Sequence, residues 1–86
     1  MRKYTVWIYV RSDGGVFPVV KAFPTKFAAK NAVKLAFEEY MDILSPDEKE
    51  KAREVFKNNR EEDFTLHLPD GKTVHCYVQK STYEYF

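Results

Sequence analysis

Cysteine, glycine and long apolar runs are all scarce in this 86-residue chain, which has one cysteine and three glycines. The lone Cys76 excludes an internal disulfide and a cysteine-based metal cluster, and it favours a reducing, cytoplasmic setting. No apolar run approaches the roughly 18 residues of a membrane-spanning helix. Residues 1–3 lead directly into a strand-like pattern without the apolar segment of a signal peptide. We therefore expect no signal peptide and no membrane partner.

The sequence motifs of common enzyme classes are also missing. The chain contains no glycine-rich phosphate loop, no HExxH and no GxSxG. Gly14 and Gly15 precede a strand-like segment, so they do not form an anion site at a helix N-terminus. Cys76 falls at a core position, where a cysteine acts as a small hydrophobic residue rather than as a nucleophile. These absences predict a non-enzymatic protein that binds no metal and no other cofactor.

Aromatic residues are abundant, at 16% of a chain with six tyrosines, seven phenylalanines and one tryptophan. Such residues concentrate in cores and interfaces. The spacing of apolar and turn residues predicts a single domain that spans residues 1–86. Its expected elements are strands at 3–11 and 16–23, helices at 25–44 and 45–59, and strands at 62–68 and 73–80.

Local signals mark the ends of these elements. The segment 12–15 predicts a hairpin turn because its two glycines accept positive φ. Thr25 is the expected N-cap of the first helix. The segment 45–48 combines serine, proline and glutamate at the positions of a capping box, which predicts the start of the second helix.

The second hairpin has one register that satisfies both its turn and its apolar pattern. A three-residue loop at 69–71, ending in a glycine, places Leu68 opposite Lys72. The cross-strand pairs are then Phe64–Cys76 and Leu66–Val74 on the core face, and Thr65–His75 and His67–Thr73 on the outer face. Because the turn and the pattern agree, we expect this register to hold.

The order of the elements predicts the topology of the sheet. Two antiparallel helices return the chain to the end of the sheet where the second strand finished, so the first and fourth strands pair at its centre. Pro18 in the second strand and the acidic run 61–63 in the third are typical of edges. We predict an α+β fold with a two-layer ββααββ architecture, in which a four-stranded antiparallel sheet of order 2-1-4-3 carries two helices packed on one face.

The first strand alternates between two kinds of side chain, which point to opposite faces of the sheet. We assign the more aliphatic set to the helices and the aromatic and cationic set to the outer face. The first set is Tyr4, Val6, Ile8 and Val10, and the second is Lys3, Thr5, Trp7, Tyr9 and Arg11. The register of the first hairpin stays open: an even loop puts Phe17, Val19, Lys21 and Phe23 on the helix side, and an odd loop puts Val16, Pro18, Val20 and Ala22 there.

These assignments predict a partner-binding surface on the outer face of the sheet. Trp7 and Tyr9 are its expected anchors, because the loss of a buried aromatic anchor commonly costs an interface about 2 kcal/mol or more. The predicted set is Trp7, Tyr9, Tyr77, Tyr83 and Tyr85, with a polar rim of His67, His75 and Gln79. The two tyrosines after residue 80 belong to it if the tail continues the fourth strand. We expect the two histidines to pair with threonines rather than to bind a metal.

Three uses of this face stay open. It can form a protein interface, most simply in a homodimer. It can stack the bases of single-stranded nucleic acid beside cations such as Lys3 and Arg11. Alternatively, the tail 81–86 can fold back over Trp7 and Tyr9. A protein partner, self or other, is the main expectation and nucleic acid the alternative, for a small interaction module of a size that suits an accessory protein of a bacterium, phage or mobile element.

Overall fold

Within residues 2–15 and 17–85, six elements follow one another in the predicted order ββααββ. The computed structural model describes residues 2–15 and 17–85, although not the side chain of Tyr85. The strands are β1 (Arg2–Ser12), β2 (Val19–Phe23), β3 (Asp63–His67) and β4 (Thr73–Tyr85), and the helices are α1 (Lys26–Met41) and α2 (Pro46–Asn58).

The four strands form one antiparallel sheet in the order β2-β1-β4-β3, which confirms the predicted topology. β1 and β4 pair along the whole 11-residue length of β1. The edge strands β2 and β3 are shorter, with 5 residues each. Residues 2–6 of β1 and 81–85 of β4 therefore extend past both edge strands as a two-stranded ribbon.

Both helices begin at their predicted caps. The Thr25 hydroxyl accepts a hydrogen bond from the Ala28 N–H at 3.1 Å, and the Glu48 N–H donates to the Ser45 hydroxyl at 3.3 Å. The predicted end of α1 at Leu44 is too late, since the helix ends at Met41. The chain continues there in a tighter turn, in which the Leu44 N–H donates to the Met41 carbonyl at 3.1 Å.

The core lies between the helices and one face of the sheet. Phe37 of α1 stacks on Phe56 of α2 with ring centroids 4.1 Å apart, and Phe64 of β3 meets both rings edge-on. Phe64 lies opposite Cys76 and Leu66 lies opposite Val74, which confirms the predicted register of the second hairpin. Burial of apolar side chains from both layers is what holds the helices on this face.

The predicted assignment of β1 to the two faces of the sheet is wrong. Residues directly opposite each other in an antiparallel pair share a face. Cys76, which is fully buried beneath the helices, lies opposite Arg11, and Val78 lies opposite Tyr9. Tyr9 is accordingly a core residue with 3% exposure. The odd-numbered residues of β1, including Trp7, therefore lie on the helix side.

The first hairpin adopts the pairing expected of an odd loop, with Val10 opposite Val20 and Ile8 opposite Ala22. Because the two faces of β1 are the reverse of those predicted, these apolar side chains lie on the outer face and not beneath the helices. Val19 and Phe23 pack against the core instead. Val16, with which the second strand was expected to begin, lies outside the described residues.

Candidate functional site

The side of the sheet away from the helices forms a continuous surface that we call the open face. The core cluster lies on the opposite side of the sheet, and none of the helices and strands in the described ranges crosses this surface. The side chains of the open face are Tyr4, Val6, Ile8 and Val10 of β1, Val20 and Ala22 of β2, Thr65 and His67 of β3, and Thr73, His75, Tyr77, Gln79, Ser81 and Tyr83 of β4.

The part of the open face formed by β1 and β2 is aliphatic. Val6, Ile8 and Val10 are each only half-buried, although they stand on a central strand of the sheet. On the neighbouring edge strand, Val20 is 57% exposed. Branched side chains fit the pleated surface of a sheet well, but here they have cross-strand neighbours without a second layer above them. The result is a contiguous apolar surface, which is unusual on a protein that makes no contact there.

The open face carries almost no charge. Among the described residues, its basic and acidic side chains stand at the margins, with Arg2 at the end of the ribbon and Asp63 at the start of β3. Lys3 and Arg11, which were predicted to stand beside the outer aromatic residues, lie on the helix side. This surface therefore offers apolar contact without a strong electrostatic preference.

A polar rim occupies the β3 side of the open face, with the predicted cross-strand pairs. The His75 Nδ1 atom lies 2.8 Å from the Thr65 hydroxyl, and the His67 Nδ1 atom lies 3.2 Å from the Thr73 hydroxyl. The His75 ring also lies 5.2 Å from the Tyr77 ring. Gln79 belongs to the same face, opposite Ile8. Each histidine ring is thus oriented by a threonine hydroxyl and stays exposed at the rim.

The ribbon extends the open face with a tyrosine pair. Tyr83 lies opposite Tyr4, and their rings stack with centroids 5.4 Å apart. β4 runs straight on to Tyr85, so residues 81–85 lengthen the sheet and do not fold back over Trp7 and Tyr9. That alternative for the tail is wrong. The side chain of Tyr85 and all of Phe86 lie outside the described residues.

Trp7 and Tyr9, the predicted anchors, do not belong to the open face. The Trp7 ring is flanked by the ammonium groups of Lys26 and Lys80, at 5.6 Å and 5.9 Å from its centroid. Cations over an indole ring stabilise its position. The aliphatic part of the open face is formed instead by Val6, Ile8, Val10 and Val20, none of which was predicted as a site residue.

Arg11 joins the Tyr9 hydroxyl and the Tyr40 ring in a small polar cluster at the border of the core. An Arg11 Nη1 donates to the Tyr9 hydroxyl at 3.5 Å, and the guanidinium lies over the Tyr40 ring at 6.0 Å. Burial raises the pKa of the Tyr9 phenol to about 12 and that of the Cys76 thiol to about 11. Because the thiolate is the nucleophilic form, the Cys76 side chain is a poor nucleophile at neutral pH.

Two lysines of α1 form ion pairs with acidic residues that precede β3. The Lys26 ammonium lies 2.7 Å from a Glu62 carboxylate oxygen, and Lys34 lies 3.7 Å from Glu61. The hydrogen bond from Lys26 lowers the pKa of Glu62. Arg60 and Glu61 have positive φ, at 60° and 57°, in the turn that brings these carboxylates towards α1. This arrangement joins the helical layer to the edge of the sheet.

Within residues 2–15 and 17–85, no group of three or more histidine, cysteine, aspartate or glutamate side chains is arranged to hold a metal ion. Neither helix is long and apolar enough to cross a bilayer. A scan against protein-family models found no match, and searches of curated proteins and of solved structures found none either.

Proposed function

We propose that the chain is a small non-enzymatic interaction module that packs its open face against the open face of a second copy. The observation that carries this proposal is the contiguous, uncharged surface around Val6, Ile8, Val10 and Val20 on the side of the sheet opposite the core. Sheets commonly bury such faces by packing on another sheet about 10 Å away.

Self-association follows from the chemistry of the surface. A two-fold interface brings each patch onto an identical patch, and a charged surface would then meet its own charge. The open face avoids this, because its charges stand only at the margins among the described residues. The strand lengths and a spacing of about 4.8 Å between strands give a face of roughly 500 Å², so two copies would bury about 1,000 Å² in total. Interfaces of that size are at the lower end of specific ones, so we expect a concentration-dependent assembly.

The nucleic-acid alternative has less support. Platforms for single strands combine stacked aromatic residues with a positively charged groove. The two cations invoked for this role, Lys3 and Arg11, lie on the helix side of β1. The part of the open face around Val6, Ile8, Val10 and Val20 is aliphatic, so it offers no rings on which bases could stack.

The test is the solution mass by light scattering over a range of concentrations, for the wild type and two lysine variants. Val20→Lys places a charge on the open face at a position that is 57% exposed, so the fold should tolerate it. Leu35→Lys is the matched control, because Leu35 is 67% exposed on α1, on the other side of the molecule.

Wild type and Leu35→Lys should show the same increase in mass with concentration, and Val20→Lys should require roughly tenfold higher concentration or more, since burying an unpaired charge is costly. Equal masses for all three proteins would overturn the proposal, as would a wild-type monomer at every concentration. Circular dichroism of each variant confirms that the comparison is made between folded proteins.

A further inference from the structure

The edge of β4 that faces away from β1 offers a second surface for a partner strand. β3 covers this edge only as far as Asp63, which lies opposite Tyr77. From there to Tyr85, the described residues include no strand that pairs with β4 on this side. Lys80, Thr82, Tyr83 and Glu84 are all exposed. A long uncovered edge of this kind is a ready template for pairing with another strand.

The direction of the backbone groups along this edge follows from the second hairpin. The Leu68 N–H donates to the Lys72 carbonyl at 2.8 Å, so the carbonyl of Lys72 points towards β3. In a regular antiparallel ladder, successive residues direct their N–H and C=O groups to opposite sides. The even-numbered residues of β4 therefore point to the β3 side. Beyond β3, the N–H and C=O groups of Lys80, Thr82 and Glu84 face the uncovered edge.

We propose that this edge pairs antiparallel with the same edge of a second copy, about a two-fold axis at Thr82, so that the two sheets become one continuous sheet. The contact is separate from the packing of open faces and does not depend on it. The backbone N–H of each Thr82 would donate a hydrogen bond to the backbone carbonyl of Thr82 in the other copy. The partner is a second copy because charge and hydrogen-bond direction together select this one register.

Only residues that direct their backbone groups to the edge can oppose each other as hydrogen-bonded pairs, so even-numbered residues must face even-numbered residues. An axis at Lys80 would bring two lysines together, and an axis at Glu84 would bring two glutamates together. An axis at Ser81 would place Lys80 opposite Thr82, and an axis at Tyr83 would place Glu84 opposite Thr82, so neither makes an attractive pair of charges. An axis at Thr82 places Lys80 of each copy opposite Glu84 of the other, which makes two attractive cross-strand pairs.

The side chains of this register are exposed, although the Lys80 ammonium also lies 5.9 Å from the centroid of the Trp7 ring in its own chain. Lys80, Thr82 and Glu84 lie on the same face of β4, because alternate residues of a strand share a face. Glu84 contacts Lys3 at 3.4 Å in its own chain, but its side chain stays 53% exposed and can accept a second cation. On the opposite face, Ser81 would stand beside Tyr83 of the second copy and continue the open face across the junction.

Amide hydrogen exchange, followed residue by residue by NMR, tests the pairing directly. The N–H groups of Ser81 and Tyr83 point to β1 and are protected whether or not the edge is paired, so they serve as internal references. The N–H groups of Lys80, Thr82 and Glu84 should become protected as protein concentration rises. Exchange of these three at the rate of an unstructured peptide, at all concentrations, would overturn the proposal. Packing of the open faces would not supply hydrogen bonds to these amides, so protection of the amides reports on edge pairing alone. The packing of open faces is tested separately, by light scattering of Val20→Lys.

Disulfide cross-linking tests the register. Thr82→Cys should form a covalent dimer under mild oxidation, because directly opposed residues have Cα atoms about 5.5 Å apart. The native Cys76 is fully buried. Thr5→Cys is the matched control: its hydroxyl lies 3.4 Å from that of Thr82, but on the neighbouring strand, away from the edge. Faster cross-linking of Ser81→Cys or Tyr83→Cys than of Thr82→Cys would overturn the register.

Charge reversal provides an independent check on the same register. Lys80→Glu should weaken edge pairing roughly tenfold, because two attractive pairs become repulsive. The double variant Lys80→Glu with Glu84→Lys should restore most of the association, since the two pairs are re-formed with opposite polarity. If the double variant associates no better than the single variant, the proposed pairing of these two residues is wrong.

Discussion

Replacing Tyr9 by alanine should unfold the domain and not merely weaken an interface. Tyr9 is 3% exposed and lies in the cluster formed with Val33, Phe37 and Val74. A tyrosine buries about 150–250 Å², of which truncation to alanine removes roughly 100 Å², worth about 2.5 kcal/mol at 25 cal/mol/Å². The cavity left behind raises the expected cost to about 3–5 kcal/mol.

This cost is large for so small a chain. Typical stabilities of about 0.05–0.15 kcal/mol per residue give a domain of this length roughly 4–13 kcal/mol. With a shift of about 4–8 °C in Tm for each kcal/mol, Tyr9→Ala should lower the Tm by roughly 12–40 °C, or leave the chain unfolded. Thermal unfolding followed by circular dichroism at fixed concentration measures this change.

Two controls accompany the Tyr9 experiment. Tyr9→Phe keeps the ring and loses the hydroxyl with its long hydrogen bond from Arg11 and its contact with Cys76, so its Tm should fall by no more than a few degrees. Val20→Ala truncates a 57% exposed side chain on the open face and should change stability by about 0.5 kcal/mol or less. A Tyr9→Ala protein with an unchanged Tm would refute the placement of β1 described above.

Two further predictions concern alkaline pH and the cap of α2. The pKa of Cys76 is raised from 9.0 to about 11 and that of Tyr9 from 10.0 to about 12, so the folded state favours their neutral forms; stability should be full below pH 9 and fall as pH rises from there towards 12. The urea midpoint should therefore decline above pH 9, and less steeply in Cys76→Ala; a flat profile in the wild type would contradict this. Ser45→Ala removes the N-cap hydroxyl of α2 and should lower the free energy of unfolding by about 1 kcal/mol, measured by urea unfolding, whereas an exposed Lys51→Ala change in the same helix should have little effect.

Local signals were sufficient to predict the order of the elements, the starts of both helices and the register of the second hairpin. Thr25 and the capping box at Ser45 place the starts of both helices, because a side-chain oxygen there satisfies an N–H that the helix leaves free. The loop between Leu68 and Lys72 sets the second hairpin, because a glycine at 71 takes the positive φ of 89° that the bulge requires. These signals act over a few residues, so they can be recognised without knowledge of the rest of the chain.

The face of β1 could not be predicted in the same way, because no turn connects β1 to β4. Their register is set by contacts between residues far apart in the chain, and a shift of one residue exchanges the two faces of a strand. Both faces of β1 are largely apolar, so its own pattern does not decide between them.

One indirect signal for the face of β1 was present in α1: Ala32 and Ala36 are small and border the same cleft as Tyr9. A helix lined with alanines leaves room for a large ring on the opposing strand, and this favours Tyr9 over Ile8 beneath α1.

The observed orientation of β1 changes the kind of partner that we expect for the sheet. Had Trp7, Tyr9 and Arg11 stood on the open face, aromatic rings beside cations would have matched the stacking chemistry of single-stranded nucleic acid. In the observed orientation the cations contact aromatic rings on the helix side, where Lys26 and Lys80 flank Trp7 and Arg11 lies over the Tyr40 ring. The open face is left with an aliphatic part around Val6, Ile8 and Val10, which under the proposed function packs against another apolar protein surface. One register between two central strands therefore sets both the composition of the core and the chemistry of the surface available for binding.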